Sequence, residues 1–251
     1  VASFYGDDLA HIQHDGFRDF SARAAPALLK LLHGAGLRRG TVVDLGCGDG
    51  TWLRALTRAG HAAIGIEVSP ALVKHARRQA PRARIHVGSI YTTPLPACDA
   101  VTALGEVLGY LPAAGERGAR IPGFAAFFRR VARALRPGGL FAFDLVVRSA
   151  KRPLHTRNYR EGEGWAVLAE SIEDAKRGRL TRDITMFRRI GATNRWRRSH
   201  EVHRVRVPEK TEILRALRDA GFVAKASNAY GRNAAMLPGR AAFFARKPKR
   251  G

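Results

Sequence analysis

Apolar residues recur at helical spacing from Phe17 to His33, where Phe17, Phe20, Ala24, Ala27, Leu28, Leu31 and Leu32 share one face and Gly34 and Gly36 follow as stop signals. The pattern predicts an amphipathic lead-in helix, and residues 1–36 are read together as an N-terminal lid. Short apolar runs then alternate with helical stretches. Strands are predicted at Thr41 to Leu45, Ala63 to Glu67, Ile85 to Val87, Ala100 to Leu104 and Leu140 to Val146. Helices are predicted between them at Thr51 to Ala59, Pro70 to Gln79 and Gly123 to Leu135. Ser69 before Pro70 is an N-cap with proline at the first helical position, and Arg136-Pro137-Gly138-Gly139 closes one helix and turns into the next strand. Such alternation predicts a parallel sheet covered by helices on both faces.

After Val147 the pattern changes. Trp165 to Ile172, Leu180 to Arg189 and Arg195 to Val207 read as strands divided by polar turns, so residues 149–207 form an antiparallel insertion, a cap. A helix from Lys210 to Ala220 and strands Phe222 to Ala226 and Ala241 to Ala245 return the chain to the first layer. The expectation is an α/β protein: a Rossmann-like, doubly wound, seven-stranded, mostly parallel sheet built from residues 1–148 and 208–251, with the cap inserted after the fifth strand.

The sharpest local signal is the run Val42-Val43-Asp44-Leu45-Gly46-Cys47-Gly48-Asp49-Gly50-Thr51, a buried strand entering a glycine-rich turn and then a helix. Glycines let the backbone approach a ligand closely, and helix-terminal amides hold anionic or nucleotide groups. A dinucleotide fingerprint needs a glycine where Thr51 stands, which argues against a nicotinamide cofactor. Glu67 ends the second strand about twenty residues later, where an acid can accept both hydroxyls of a ribose.

These residues together resemble the class I S-adenosylmethionine (SAM)-dependent methyltransferases, specifically bacterial small-molecule enzymes with a strand-rich cap. The resemblance covers nearly the whole chain. It implies that Asp44, Gly46, Cys47 and Gly48 lie against the methionine part of SAM, that Glu67 holds the ribose and that Val68 packs on the adenine. Ser89 and Ile90 would flank the adenine, with serine where the family usually has an acid. Leu104, Gly105 and Glu106 would lie beneath the methionine moiety, and Tyr5 and Arg23 would hold its carboxylate. The Asn/Asp-Pro-Pro-Tyr/Phe segment of enzymes that methylate DNA adenine or protein glutamine is absent, replaced by Leu104-Gly105-Glu106-Val107.

For the acceptor, the strand Glu201 to Val207 sets Glu201, His203, Val205 and Val207 on one face. His203 is the candidate base and Glu201 its orienting partner, with Tyr110 a further catalytic candidate and Tyr230 and Arg232 candidate substrate contacts. His11 and His14 are candidates for helping the lid close. The expected reaction is methyl transfer from SAM, leaving S-adenosylhomocysteine (SAH), to an N or O atom of a small molecule.

Charge keeps two alternatives open. The formal net charge of +23 suits nucleic acid, which makes an RNA methyltransferase the second reading. The 36 arginines against 8 lysines are scattered, however, with short clusters only at Arg195 to Arg198 and Arg246 to Arg250. A non-catalytic SAM-binding protein is the third. Cys47 and Cys98 lie on different elements without a Cys/His cluster, so no metal site or disulfide framework is expected. With no apolar run long enough for a bilayer span, this points to a soluble, cytoplasmic protein. The sequence leaves the oligomeric state open.

Overall fold

The computed structural model describes residues 4–17, 19–111, 121–151 and 154–249. Residues 1–3 and 18 of the predicted lid, 152–153 of the predicted insertion and Arg250 of the C-terminal basic cluster lie outside them.

Strands β1 (Thr41–Leu45), β2 (Ala62–Glu67), β3 (Arg84–Val87), β4 (Cys98–Ala103), β6 (Leu135–Val146), β11 (Val223–Ser227) and β12 (Arg240–Arg246) form one sheet in the order β11-β12-β6-β4-β1-β2-β3. β12 runs antiparallel to β6 and β11, and the remaining pairings are parallel. The central strands are buried on both faces, which is why they read as unbroken apolar runs. The pleat divides them between two cores. Val43, Leu45, Val101, Phe141 and Phe143 pack in the core that includes α5 (Phe124–Ala134) and α6 (Lys210–Asp219). Val42, Ala100, Leu140 and Ala242 pack in the core that includes α2 (Asp19–Gly34) and α3 (Thr51–Arg58).

The strand order reverses between β1 and β4, the position at which doubly wound sheets open a ligand crevice at the carboxyl ends of their strands. Ser69 caps α4 (Pro70–Gln79) as its position predicts, its hydroxyl accepting the Leu72 N–H at 3.2 Å. Close packing beneath the glycine turn is severe. A Cβ on Gly65 in β2 would lie 2.6 Å from Cys47 Sγ and 2.8 Å from Leu53 Cδ1. Gly65→Ala is expected to destabilise the fold by about 1–3 kcal/mol through overpacking, read as a melting temperature several degrees lower.

A second, antiparallel sheet has the order β5-β10-β9-β8-β7, from β5 (Tyr110–Leu111), β7 (His155–Gly162), β8 (Trp165–Asp174), β9 (Arg179–Arg189) and β10 (Trp196–Arg206). Two of these strands are not evident in the sequence pattern: β7 is polar and exposed almost throughout, and β5 is two residues long. The N-terminal region adds α1 (Asp7–Gly16) ahead of the predicted lead-in helix.

Helix α1 ties the two sheets together. Asp8, buried, accepts hydrogen bonds from Arg197 and from Ser199 on β10, while Trp165 on β8 donates to Asp15. Burial opposes ionisation of Asp8, but the bonds from Arg197 and Ser199 outweigh it and hold the carboxyl below its ordinary range. On the other side His14 Nδ1 lies 2.9 Å from Asp49 in the glycine turn, and the His14 and His75 ring centroids are 4.4 Å apart. Among the described residues no helix is long and apolar enough to cross a membrane.

Candidate active site

The glycine turn leaves β1 with Gly46, Gly48 and Gly50 at φ of 66°, 56° and 84°, a left-handed conformation that side chains resist. It is anchored from below. Gly46 N–H donates to Ile66 O on β2 at 2.7 Å, and Asp44 accepts the Thr102 hydroxyl at 2.7 Å, which in turn accepts Trp52 Nε1–H at 3.0 Å. Burial pushes Asp44 up to about 7.

At the end of β2 the Glu67 carboxylate accepts the Gly48 N–H at 3.0 Å and the Ser69 N–H at 2.9 Å, so it is held against the glycine turn by backbone donors. Burial raises its pKa, an effect those N–H bonds oppose. Beside it Val68 is 50% exposed, an apolar surface facing out of a well-packed region. A Cβ built on Gly48, or on Gly105 at the end of β4, meets no atom within 4 Å. Open space, a fixed carboxylate and an exposed apolar side chain therefore line the carboxyl edge of β1, β2 and β4, and these features suit an adenosine with an amino-acid tail.

Ser89 and Ile90 follow β3, where Ser89 Oγ accepts the Tyr91 N–H at 3.2 Å and Ile90 is buried. Leu104 and Glu106 are buried around the open Gly105. Cys47 is buried against Gly65, and burial raises its thiol well above the ordinary range, so it is no nucleophile. Arg23 lies exposed on α2. Tyr5 has a φ of 52°, and its carbonyl accepts the Ser69 hydroxyl at 2.6 Å.

The cap contributes a dyad. Glu201 accepts the backbone N–H groups of Tyr5 at 3.0 Å and Gly6 at 2.9 Å, and its Oε2 lies 2.8 Å from His203 Nε2. A carboxylate only accepts, so in the neutral imidazole Nε2 carries the proton and Nδ1 holds the lone pair. His203 is 1% exposed and its Nδ1 has no hydrogen-bond partner among the described residues. Phe4, Tyr5 and Tyr110 surround the ring with centroids 5.2–5.5 Å away, and the two tyrosine hydroxyls are 3.2 Å apart. Burial raises both phenols, so Tyr5 and Tyr110 act as neutral hydrogen-bonding groups rather than bases.

Tyr230 is buried and its hydroxyl donates to Asp144 at 2.9 Å, whereas Arg232 is exposed on the following loop. Three residues that sequence reasoning missed join here. Asp144, fully buried, accepts the N–H groups of Gly105 and Glu106 at 2.8 Å each and so holds Glu106 at φ of 67°. Arg182 donates to Glu106 at 3.3 Å, and Arg240 pairs with the other carboxylate oxygen. Glu106 pushes the Arg182 pKa upward. The signals were present: one acid in the apolar run Phe141-Ala142-Phe143-Asp144-Leu145, and one arginine on the face that Leu180, Ile184 and Met186 bury. No group of three His, Cys, Asp or Glu among the described residues is arranged to hold a metal ion.

Burial also raises Asp144, to about 6. Both Asp44 and Asp144 are thus raised from an ordinary 3.8. Their contribution to stability is complete below about pH 4 and is lost as pH rises through about 6 and about 7. Melting temperatures between pH 4 and 8 should therefore decline toward the alkaline side, and Asp44→Asn should flatten that decline.

Residues 42–139 match the model of the methyltransferase domain family. A curated relative, dTDP-3-amino-3,4,6-trideoxy-alpha-D-glucopyranose N,N-dimethyltransferase of Streptomyces venezuelae, is 29% identical over 128 residues, 51% of each chain. The chain thus spans about half the length of that relative. Among solved structures, a SAM-dependent methyltransferase from Clostridium acetobutylicum superposes with a TM-score of 0.76 at 15% identity, covering 95% of this chain and 97% of that one. The sugar N-methyltransferase KedS8 from Streptoalloteichus gives 0.75 at 20% identity over 99% and 98%. Residues 42–139 thus match the methyltransferase domain family, and the chain that carries them shares the fold of the SAM-dependent methyltransferases on which it superposes.

Proposed function

We propose that the protein transfers a methyl group from SAM to an N or O atom of a small-molecule acceptor, with SAH as the other product. The observation that carries this reading is the pairing of the open glycine turn with Glu67, fixed by the Gly48 and Ser69 N–H groups. When bound, SAM supplies a methyl on a sulfonium, already activated for in-line displacement. The chain's own residues then have three tasks: hold the nucleoside, place the acceptor and manage its proton.

Glu67 holds the ribose and Val68 packs on the adenine, with Ser89 and Ile90 at its edge. Asp44, Gly46, Cys47, Gly48, Leu104, Gly105 and Glu106 form the floor of the methionine part, and Tyr5 and Arg23 hold its carboxylate. On the cap side His203 takes the acceptor's proton at Nδ1, while Glu201 holds that tautomer in place by accepting from Nε2–H. Tyr110 orients the acceptor, and Tyr230 and Arg232 flank it. Closure of the N-terminal segment is built into the same dyad, because Glu201 also binds the Tyr5 and Gly6 N–H groups. Water is thereby kept from the reacting atoms.

The named activities of the similar proteins support a small acceptor over RNA, and an amino sugar linked to a nucleotide is the first to try. Two buried cysteines without a disulfide support a reducing, cytoplasmic setting. The test is incubation with SAM and a panel of small amines and phenols, with mass spectrometry of the products. Methylated acceptor and stoichiometric SAH support the proposal. A chain that binds SAM yet methylates nothing in the panel, while methylating RNA, would replace it with the RNA reading.

A further inference from the structure

From residue 20 to residue 98 the chain holds nine arginines and two lysines against three acids, Asp44, Asp49 and Glu67. All three acids are buried, at 3%, 8% and 5% exposure, and each accepts a hydrogen bond at or beneath the glycine turn. No carboxylate of this stretch therefore reaches its surface. The stretch builds α2, α3 and α4, which lie side by side against the first sheet, and the edge strand β3.

Strand direction gathers this charge at one end. Helices α2, α3 and α4 each finish where the next parallel strand begins, so Arg38 and Arg39 lead into β1, Arg58 ends the helix before β2, and Arg82 and Arg84 lead into β3. Arg77 and Arg78 stand in the last turn of α4. All of these are exposed except Arg58, which is partly so. Basic residues in a last turn complement the negative end of a helix dipole, which accounts for Arg58, Arg77 and Arg78 but not for the arginines of the turns. Asp99, at the start of β4 beside them, is taken by Arg136 at 3.1 Å and by the Thr41 N–H at 2.7 Å. The far end of the sheet differs, for α6 sets Glu212 and Asp219 among Arg215 and Arg218.

We propose that the edge formed by the amino ends of β1, β2 and β3, with the last turn of α4, holds the phosphate backbone of double-stranded nucleic acid independently of sequence. Three features select that partner among polyanions. Arginine outnumbers lysine, and a guanidinium fork matches two phosphate oxygens where an ammonium is a point charge. No large apolar side chain is exposed on α2, α3 or α4 or in the turns that follow them, so nothing is offered to a bilayer interior. No exposed Phe, Tyr or Trp stands there for unpaired bases to stack on, which favours a duplex over a single strand. Neighbouring helices about 10 Å apart make the edge roughly 30 Å long, and a duplex presents a charge every ~1.7 Å along it. The glycine turn opens at the opposite, carboxyl edge of the same strands. A duplex held here leaves that cleft open and is an anchor, not the methyl acceptor.

Fluorescence anisotropy of a labelled DNA duplex of about 24 base pairs and arbitrary sequence, titrated at several salt concentrations between about 50 and 200 mM, tests this surface. The native chain is expected to bind with micromolar affinity at about 100 mM salt and a log–log salt slope near about −5, as roughly six phosphate contacts require. Arg38→Gln, Arg77→Gln, Arg78→Gln and Arg82→Gln combined should weaken binding about 30-fold or more and flatten the slope by about 3. Lys210→Gln, Arg215→Gln, Arg218→Gln and Lys225→Gln combined remove the same charge from exposed sites at the far end of the sheet and should change affinity by less than about threefold. Circular dichroism spectra matching the native chain verify the fold of both variants. Three results would overturn the proposal: no duplex binding at the lowest salt, equal losses in the two variants, which would leave net charge alone as the cause, or tighter binding to phosphatidylglycerol vesicles than to the duplex.

Discussion

Glu67→Gln raises the dissociation constant for SAH about 30-fold, the equivalent of about 2 kcal/mol for replacing a charged, two-point acceptor by a neutral amide. The size follows from the geometry. Glu67 is held by Gly48 and Ser69 N–H donors, so it is pre-oriented and needs no ordering when a ribose arrives. Glutamine keeps the volume but turns an NH2 group toward one of those donors and loses one of the two hydroxyl acceptors. Glu67→Ala should weaken binding further and also lower the melting temperature, because two buried N–H groups lose their partner. Calorimetric titration with SAH separates the two variants, and an affinity unchanged by Glu67→Gln would remove the ribose from this position.

His203→Ala lowers kcat by about 100-fold or more with an acceptor whose proton must leave, the range a positioned base contributes. SAH affinity should stay near the native value, since His203 lies on the cap and not on the glycine turn. Glu201→Gln should also slow turnover, for it weakens the bond that fixes the imidazole tautomer. It should in addition loosen the N-terminal segment held through Tyr5 and Gly6, raising KM or Kd where His203→Ala leaves them alone. Native turnover in His203→Ala would assign the dyad to holding the lid alone.

The parts of the site that repeat a local rule were legible in the sequence. A strand, a glycine turn and a helix follow from one another within eleven residues, and Ser69-Pro70 announces its own helix. Glu67 was legible because strand length fixes how far it stands from the turn. Asp144 and Arg182 stood out only as polar positions on apolar faces, and what they bind was not legible, since Glu106 lies 38 residues from Asp144 and 76 from Arg182; it meets Asp144 and Arg240 when the first sheet forms and Arg182 when the second sheet packs against it. The dual duty of Glu201 was hidden for the same reason. Strand pattern placed it on the inner face beside His203, but nothing in that pattern shows that the backbone of Tyr5 and Gly6 comes to rest on it, 195 residues distant in sequence for Gly6. Strand β7 escaped notice because an exposed edge strand need not alternate.

The central claim is that the carboxyl edge of β1, β2 and β4 binds SAM, and calorimetric titration of the unmodified chain with SAM tests it most directly. Saturable binding of one SAM per chain, competed by SAH, is the predicted result. Folded protein that takes up neither compound would contradict the account.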